Sequence, residues 1–407
     1  MNASRHRFFF CCFLVLVNSI ALLFMVGCGQ LTMASSSAAD NPPSSPSPSP
    51  TATPSPTPAV ANPNHFTYVT LQAASSVAGM KIDSTGAVMP IPGSPFAVPE
   101  GPSGIARTQQ FLFVSSDGFN LPLTADKYLI TTYKIDPDTG ALTEVARHQS
   151  LIPASLSVDP EQHFLYAKMR DGIAVFSISA SGELNEIPGS PFSSSAGLEG
   201  VSGQIVLHPG GHFLYSLGLP SGHDPTVGMI VGTVDPITGA ASQGRFIAEI
   251  PSAITVTPDG GFLLATTSTP SIPNAICSYV IDPVNGYPGN SFSSLVPQAT
   301  SCTSTGLDPM SVAVTPSGSF AVTANFLSDS LSVFAISSGV LTEVSGSPYP
   351  AGNGPFWITI SGDGQFVFAF CQHSQDVTVY RLDATGVLTP VAGSPFKLGG
   401  VPFLGIS

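Results

Sequence analysis

The chain has 407 residues, 9% of them charged and 43% hydrophobic, with 12 basic against 25 acidic side chains and a net charge of −13. Such an acidic balance excludes nucleic acid and anionic lipid headgroups as partners, because both demand clustered Lys and Arg, and it disfavours a phosphorylated, polyanionic substrate. With 40 Gly, 39 Pro and no long amphipathic helical pattern, the composition points to an all-β protein of short strands and turns.

Arg5 and Arg7 precede an apolar run from Phe8 to Val26, the pattern of an export signal over residues 1–27. Met25-Val26-Gly27-Cys28 resembles a bacterial lipoprotein cleavage box, with Met where Leu is usual. The resemblance implies cleavage before Cys28 and lipid attachment to that residue. The alternative is an uncleaved signal-anchor helix, since an apolar run of this length nearly suffices to span a bilayer. Both readings tether the chain outside the cytoplasm. Residues 1–27 hold two basic side chains and no acid, so their loss moves the net charge from −13 to −15. Gln30 stands where an Asp often retains lipoproteins at the inner membrane, so the outer membrane is the expected address in a Gram-negative host. Residues 28–64 are a linker. Its run from Pro42 to Pro58 is almost entirely Pro, Ser and Thr. Such a segment cannot build a core, and it extends as polyproline II by up to about 90 Å over some 30 residues.

From His65 to Ser407 the chain repeats with a period of roughly 50 residues, the signature of a β-propeller. Each unit opens with alternating apolar residues, as in Pro251-Ser-Ala-Ile-Thr-Val-Thr257. A tight turn follows (Pro258-Asp-Gly260), then a second apolar run (Phe262-Leu-Leu-Ala265), a variable loop, and a third strand ending in Ile-Asp (Tyr279-Val-Ile-Asp282). A turn such as Asp136-Pro-Asp-Thr-Gly140 leads to the fourth strand. Openings near Pro102, Pro153, Val201, Pro251, Pro309, Pro355 and Pro402 number seven. Phe66–Thr70 reads as a second strand without a first, and Val401–Ser407 as a first strand without a second. Ring closure by the C-terminal strand is therefore expected, leaving no open ladder at the seam. Gly-Ser-Pro-aromatic recurs at Gly93–Phe96, Gly189–Phe192, Gly346–Tyr349 and Gly393–Phe396. It is expected to end the outer strand, with the ring plugging the crevice between blades. Ser394-Pro-Phe-Lys397 matches a Ser-x-x-Lys pattern, but Ser94, Ser190 and Ser347 lack the Lys, so a structural role is read here.

Cys11 and Cys12 leave with the signal. Cys277 and Cys302 fall in one blade, the fifth and longest, and are a disulfide candidate pinning its insertion between Tyr287 and Asp308; Cys371 is expected to be a small buried residue. His208 and His212 flank a turn, with His163 at the place of His212 one blade earlier, so no metal site is read from them. Asp136, Asp235, Asp282 and Asp383 recur before Gly-containing turns, which an Asp capping its own turn explains without calcium. No cofactor is expected.

Propeller geometry directs attention to the face carrying the second-to-third-strand loops and the blade-to-blade connections, where ligands enter. That face receives Asp117, Asn120, Asp126, Lys127, Arg170, Asp171, Glu199, His223, Asp224, Asn325, Asp329, His373 and Asp376. Its longest loops are 115–128, 216–228 and 292–308. Arg170, Asp171, Asn325, Asp329 and Trp357 are the ligand-binding candidates, and an aromatic patch involving Phe119, Phe326 and Trp357 would mark a binding module. Core packing competes as a reading of Trp357.

Pro258-Asp-Gly-Gly-Phe-Leu-Leu264, Val333-Phe-Ala-Ile336, Gly339-Val-Leu-Thr-Glu-Val344 and the Gly-Ser-Pro-aromatic marks together resemble the bacterial lactonase-type seven-bladed propeller family. That family includes 6-phosphogluconolactonase-like proteins and is similar to the carboxymuconate cyclases, and it also resembles the YVTN-repeat propellers, echoed here in Phe66-Thr-Tyr-Val-Thr70. The resemblance covers residues 65–407 and implies fold more specifically than activity. It associates His and Arg-His, just after a blade-opening Pro, with enzymatic function. Here Pro153-Ala-Ser-Leu, Ser202-Gly-Gln204, Pro251-Ser-Ala and Pro309-Met-Ser hold neither. Lactone hydrolysis needs a base for water and a positive group for the oxyanion, and Arg107 on an inner strand sits toward the end away from the mouth. The leading expectation is a monomeric, membrane-tethered binding or scaffold module of the envelope, taking a carbohydrate, a small molecule or an envelope protein. The alternative is a lactone hydrolase with His223, Asp224, His373 or Glu199 as base and Arg170 as electrostatic helper. A purely structural role is the third.

Overall fold

The structure is a computed structural model. It describes residues 65–83, 87–99, 101–116, 128–150, 155–169, 172–193, 203–218, 228–242, 245–247, 251–268, 273–289 and 298–407. Seven antiparallel sheets follow one another along the chain. Blade 2 runs Pro102–Arg107, Phe111–Ser116, Leu129–Ile135, Leu142–Gln149 from its innermost strand outward. Blades 3 to 7 repeat this order, their innermost strands being Ser155–Val158, Ile205–Leu207, Ala253–Val256, Pro309–Val314 and Pro355–Ile360. Each innermost strand lies beside the innermost strands of both flanking blades, which closes a ring around a central channel.

Blade 1 holds the seam. His65–Leu71 is its second strand, and its innermost strand is the chain's C-terminal Pro402–Ile406, as the unpaired sequence ends predicted. The pairing places Tyr68 opposite Ile406, Val69 opposite Gly405 and Leu71 opposite Pro402, with a bulge between Val69 and Leu71. Thr70 Oγ1 fills the gap left by the bulge, accepting from Leu404 N at 3.1 Å and lying 3.2 Å from Leu404 O. From blade 7, the Trp357 indole N–H donates to the Gly405 carbonyl at 2.8 Å. The closing strand is thus gripped from both sides.

Cores lie between blades rather than within them. Val69, Leu71 and Met80 of blade 1 pack with Phe366, Phe368 and Phe370 of blade 7 in one cluster. Residues facing opposite ways on one strand serve opposite crevices: Leu165 packs toward blade 2, Tyr166 toward blade 4. Second-strand tyrosines add a polar tie at three crevices. Tyr68, Tyr166 and Tyr215 donate to the carbonyls of Gly140, Gly239 and Gly286 in the next blade's outer turn, at 2.6, 3.0 and 2.9 Å. Burial pushes all three phenols far up.

The Gly-Ser-Pro-aromatic mark differs from expectation. It does not end the outer strand but interrupts it. Phe96-Ala97, Phe192-Ser193, Tyr349-Pro350 and Phe396-Lys397 pair again with the third strand of their own blade. The reason is an alternative acceptor at the break. Ser94, Ser190, Ser347 and Ser394 hydroxyls accept the third-strand N–H of Gly79, Val175, Val333 and Val379 at 2.9, 3.0, 3.0 and 2.8 Å. Each Ser-Pro bond is cis. The recurrent Asp turns satisfy themselves: Asp136 Oδ1 accepts from the Thr139 N–H and hydroxyl, both at 2.8 Å, and Asp383 does the same with Thr385. Those bonds hold the Asp136 and Asp383 carboxyls below the usual range.

Candidate functional site

The second strand of blade 6, Phe320–Asn325, leads into a single turn of 3-10 helix, Phe326–Ser328. Asn325 is fully buried, and its amide works inward. It donates to the Ser330 and Ser332 hydroxyls at 3.2 and 3.0 Å, while its Oδ1 accepts from Thr323 at 3.1 Å. Asn325 thereby organises its own hairpin. Asp329 follows in the left-handed region (φ 50°) and faces the blade 6-to-7 connection. Its Oδ1 accepts from Gly354 N at 2.7 Å and its carbonyl from Ala351 N at 2.8 Å. From the other side, Gln372 N donates to Gly354 O at 2.8 Å and His373 N to Asn353 O at 3.1 Å. The connection is stapled along its length, which fixes where Pro355 and Phe356 enter the channel wall.

That fixing assembles an aromatic run. Phe326 meets the edge of Phe356 with ring centres 6.3 Å apart, and Phe356 stacks on Phe403 at 5.6 Å and 21°. The His373 imidazole meets Phe326 at 4.9 Å. All three phenylalanine rings are partly exposed and His373 is exposed. A side-chain carbon added at Gly354 would lie 2.9 Å from His373 Nδ1 and 3.1 Å from Phe326 Cε2, so the backbone passes close against both rings. Phe356 and Phe403 each directly follow a blade-opening Pro, in blades 7 and 1. They occupy the register that the family resemblance associates with His and Arg. The signal that could have found them is this shared register, Pro355-Phe356 and Pro402-Phe403, which single-residue motif reading passes over.

Among the described residues, the charged groups on this face are engaged or set apart. Asp376 is 2% exposed; its Oδ2 pairs with Lys397 Nζ at 3.0 Å and its Oδ1 accepts from Ser374 Oγ at 2.8 Å. Lys397 Nζ also reaches Ser374 O at 2.8 Å, while Ser394 is bound to Val379, so the Ser-x-x-Lys pair does not act together. Asp308, missed by motif reading, stands directly before the blade-opening Pro309 and bonds through its carbonyl to Phe326 N at 2.9 Å. Partial burial raises its carboxyl above the usual range. Lys168, in the second strand of blade 3, is 3% exposed and donates to the Leu217 carbonyl. Desolvation brings its amine down to about 8.

Trp357 lies against the blade 1–blade 7 cluster with its N–H on Gly405. Arg107 sits at the turn end of its strand and donates to Phe66 O at 3.1 Å and Thr108 O at 3.3 Å. His208 uses both ring nitrogens, accepting from Gly210 N at 2.9 Å and meeting Gly260 O at 3.0 Å. Among the described residues no three His, Cys, Asp or Glu gather as a metal site. Cys277 and Cys302 form a disulfide between the third strand of blade 5 and its outer strand, Ser301–Ser304. Cys371 is fully buried, and burial pushes its thiol up to about 12. Cys28, Asp117, Phe119, Asn120, Asp126, Lys127, Arg170, Asp171, Glu199, His223 and Asp224 lie outside the described residues.

Comparison with known proteins agrees with this architecture. A putative 6-phosphogluconolactonase from Bacteroides uniformis superposes with a TM-score of 0.64 at 14% identity, covering 84% of this chain and 99% of that one. A second, from Bacteroides fragilis, gives 0.62 at 15% identity over 86% and 99%. The periplasmic gluconolactonase PpgL of Pseudomonas aeruginosa gives 0.61 at 20% identity over 84% and 97%. These likenesses establish the fold. No curated protein matches the sequence. The family model described as lactonase, 7-bladed beta-propeller, matches residues 59–198 and 292–400, more than half of the chain. The interval between the two matches holds blade 4 and most of blade 5, which lack the Gly-Ser-Pro-aromatic mark but keep the same strand order. With family match, strand order and ring closure in agreement, the chain belongs to the seven-bladed β-propeller lactonase family.

Proposed function

We propose that this protein is an extracytoplasmic, membrane-tethered binding propeller that seats a carbohydrate on the aromatic mouth of its channel. The observation that carries the reading is the contiguous run Phe403–Phe356–Phe326, edged by His373, on the face where blades 6, 7 and 1 meet. Aromatic faces with a few placed polar groups are what a small-molecule site presents, and the apolar C–H face of a sugar ring packs on such rings. The tether is proposed from the basic and apolar start, Cys28 and the Pro-rich stalk. The periplasmic location named for the Pseudomonas neighbour accords with it. Calorimetric titration of the purified protein with cellobiose, maltotriose and D-glucono-1,5-lactone tests the reading. Phe356→Ala and Phe403→Ala are each expected to weaken binding at least tenfold with the fold retained by circular dichroism. Binding unchanged in both variants refutes the site.

Family membership favours a second reading, hydrolysis of a lactone at the same mouth. It would employ His373 or one of His223, Asp224 and Glu199 as base, with Arg170 steadying the developing oxyanion. Turnover of a lactone panel that His223→Ala or His373→Ala abolishes would put catalysis ahead of binding, and inertness across the panel would remove it.

A further inference from the structure

Blades 2 and 7 open alike. Gly101 before Pro102 and Gly354 before Pro355 both take left-handed backbone angles, φ 69° and 65°. Blade 6 takes the same turn at φ 56°, but with Asp308 before Pro309. A side chain in that region is strained relative to glycine, although Asp and Asn bear it better than most. Glycine is therefore the low-energy choice at this point of the repeat, and blade 6 forgoes it.

The Asp308 backbone is held from two directions. Its N–H donates to Asn274 Oδ1 at 2.9 Å, and its carbonyl accepts from Phe326 N. Its carboxylate, only partly exposed, has no hydrogen-bond or ion-pair partner among the described residues. Leu307 and Leu327 beside it are 53% and 65% exposed, and the Phe326 N–H bond holds the Asp308 backbone against the Phe326 end of the aromatic run. A strained, partly desolvated carboxylate that no described residue pairs is unfavourable to the folded state, and such arrangements concentrate where a ligand completes them.

We propose that Asp308 is the acceptor that orients the ligand, taking hydrogen bonds from two adjacent hydroxyls of a neutral sugar or sugar lactone whose ring face rests on the Phe326–Phe356–Phe403 run. The inference rests on the carbohydrate reading above and deepens it. A carboxylate offers two oxygens with lone pairs and no donor, which matches a vicinal diol and rejects a phosphate. Hydroxyl bonds to an ionised acceptor are the strong kind, so the contact sets specificity while the rings supply contact area. The burial that raises the carboxyl in the free protein agrees with a group awaiting such donors.

The test has a ligand-free arm and a binding arm. Asp308→Asn keeps shape and tolerance of the left-handed turn while removing the desolvated charge. Its urea unfolding midpoint at pH 7 is expected above that of the wild type, and a lower midpoint overturns the proposal by making Asp308 structural. In titrations with cellobiose, maltotriose and D-glucono-1,5-lactone, Asp308→Asn and Asp308→Gly are expected to bind at least tenfold more weakly. Wild-type binding retained in both variants overturns the role of Asp308 and leaves the aromatic site standing. Failure of the wild type to bind any of the three overturns the carbohydrate reading and this inference with it.

Discussion

Gly140 and Gly211 make a matched pair for measuring what the inter-blade crevices contribute. Their backbone angles are nearly equal, φ 74° and 72°. An alanine Cβ at Gly211 would meet nothing nearer than 3.9 Å. At Gly140 it would lie 2.6 Å from Phe66 Cδ1 and 2.9 Å from Ile91 Cδ1, both side chains of the preceding blade and almost fully buried. Placing Ala in the left-handed region costs about 1–2 kcal/mol in either protein, part of it returned through the less flexible unfolded chain. Overpacking adds about 1–3 kcal/mol at Gly140 alone, and displacement of Gly140 also disturbs the bond its carbonyl accepts from the buried Tyr68 hydroxyl. Gly211→Ala is expected to lower stability by about 1 kcal/mol and Gly140→Ala by about 2–5 kcal/mol. Urea unfolding followed by circular dichroism reads the difference as midpoints. Equal losses in the two variants would mean that the crevice yields freely, and the account of blade packing would be wrong.

Trp357→Phe removes the bond to Gly405 O and leaves a carbonyl of the closing strand short of a donor; a loss of about 1–2 kcal/mol in urea is expected. Deleting residues 401–407 bares the His65–Leu71 edge, and size-exclusion chromatography is expected to show association that the intact ring does not show. Cys277→Ser with Cys302→Ser opens a 25-residue separation and is expected to lower stability by about 3 kcal/mol, read against wild type under non-reducing conditions. Lys168 carries a pH signature. Its amine falls to about 8 in the folded protein from an ordinary 10.5, so between those values the unfolded chain holds a proton that the native one has released. Stability relative to Lys168→Met is therefore expected to rise as pH climbs from about 8 to about 10, and a flat difference would remove the buried-amine assignment.

Much of the architecture is legible in the residues because propeller blades are local. Each strand, turn and Asp cap forms from contiguous chain, and Phe66–Thr70 with Val401–Ser407 read as two halves of one blade because each lacks its neighbour. The order of apolar and turn residues alone therefore predicts seven blades and a C-terminal closure. Residue types also anticipate that Cys371 is buried and that Asp136 and Asp383 cap their own turns. The mouth is different. Asn325, Asp329 and Asp376 look like ligand groups in sequence, yet their oxygens and amides face hairpins and the blade 6-to-7 connection. Phe356 and Phe403 lie 47 positions apart in the chain, and only the closing of the ring stacks them. Asp308 shows its strain only once its backbone angle is set beside those of Gly101 and Gly354. Blade structure comes from interactions between near neighbours in sequence, whereas a channel mouth is built from one residue of each of several blades. Which side chains meet there, and which are already bound elsewhere, is decided by tertiary packing alone.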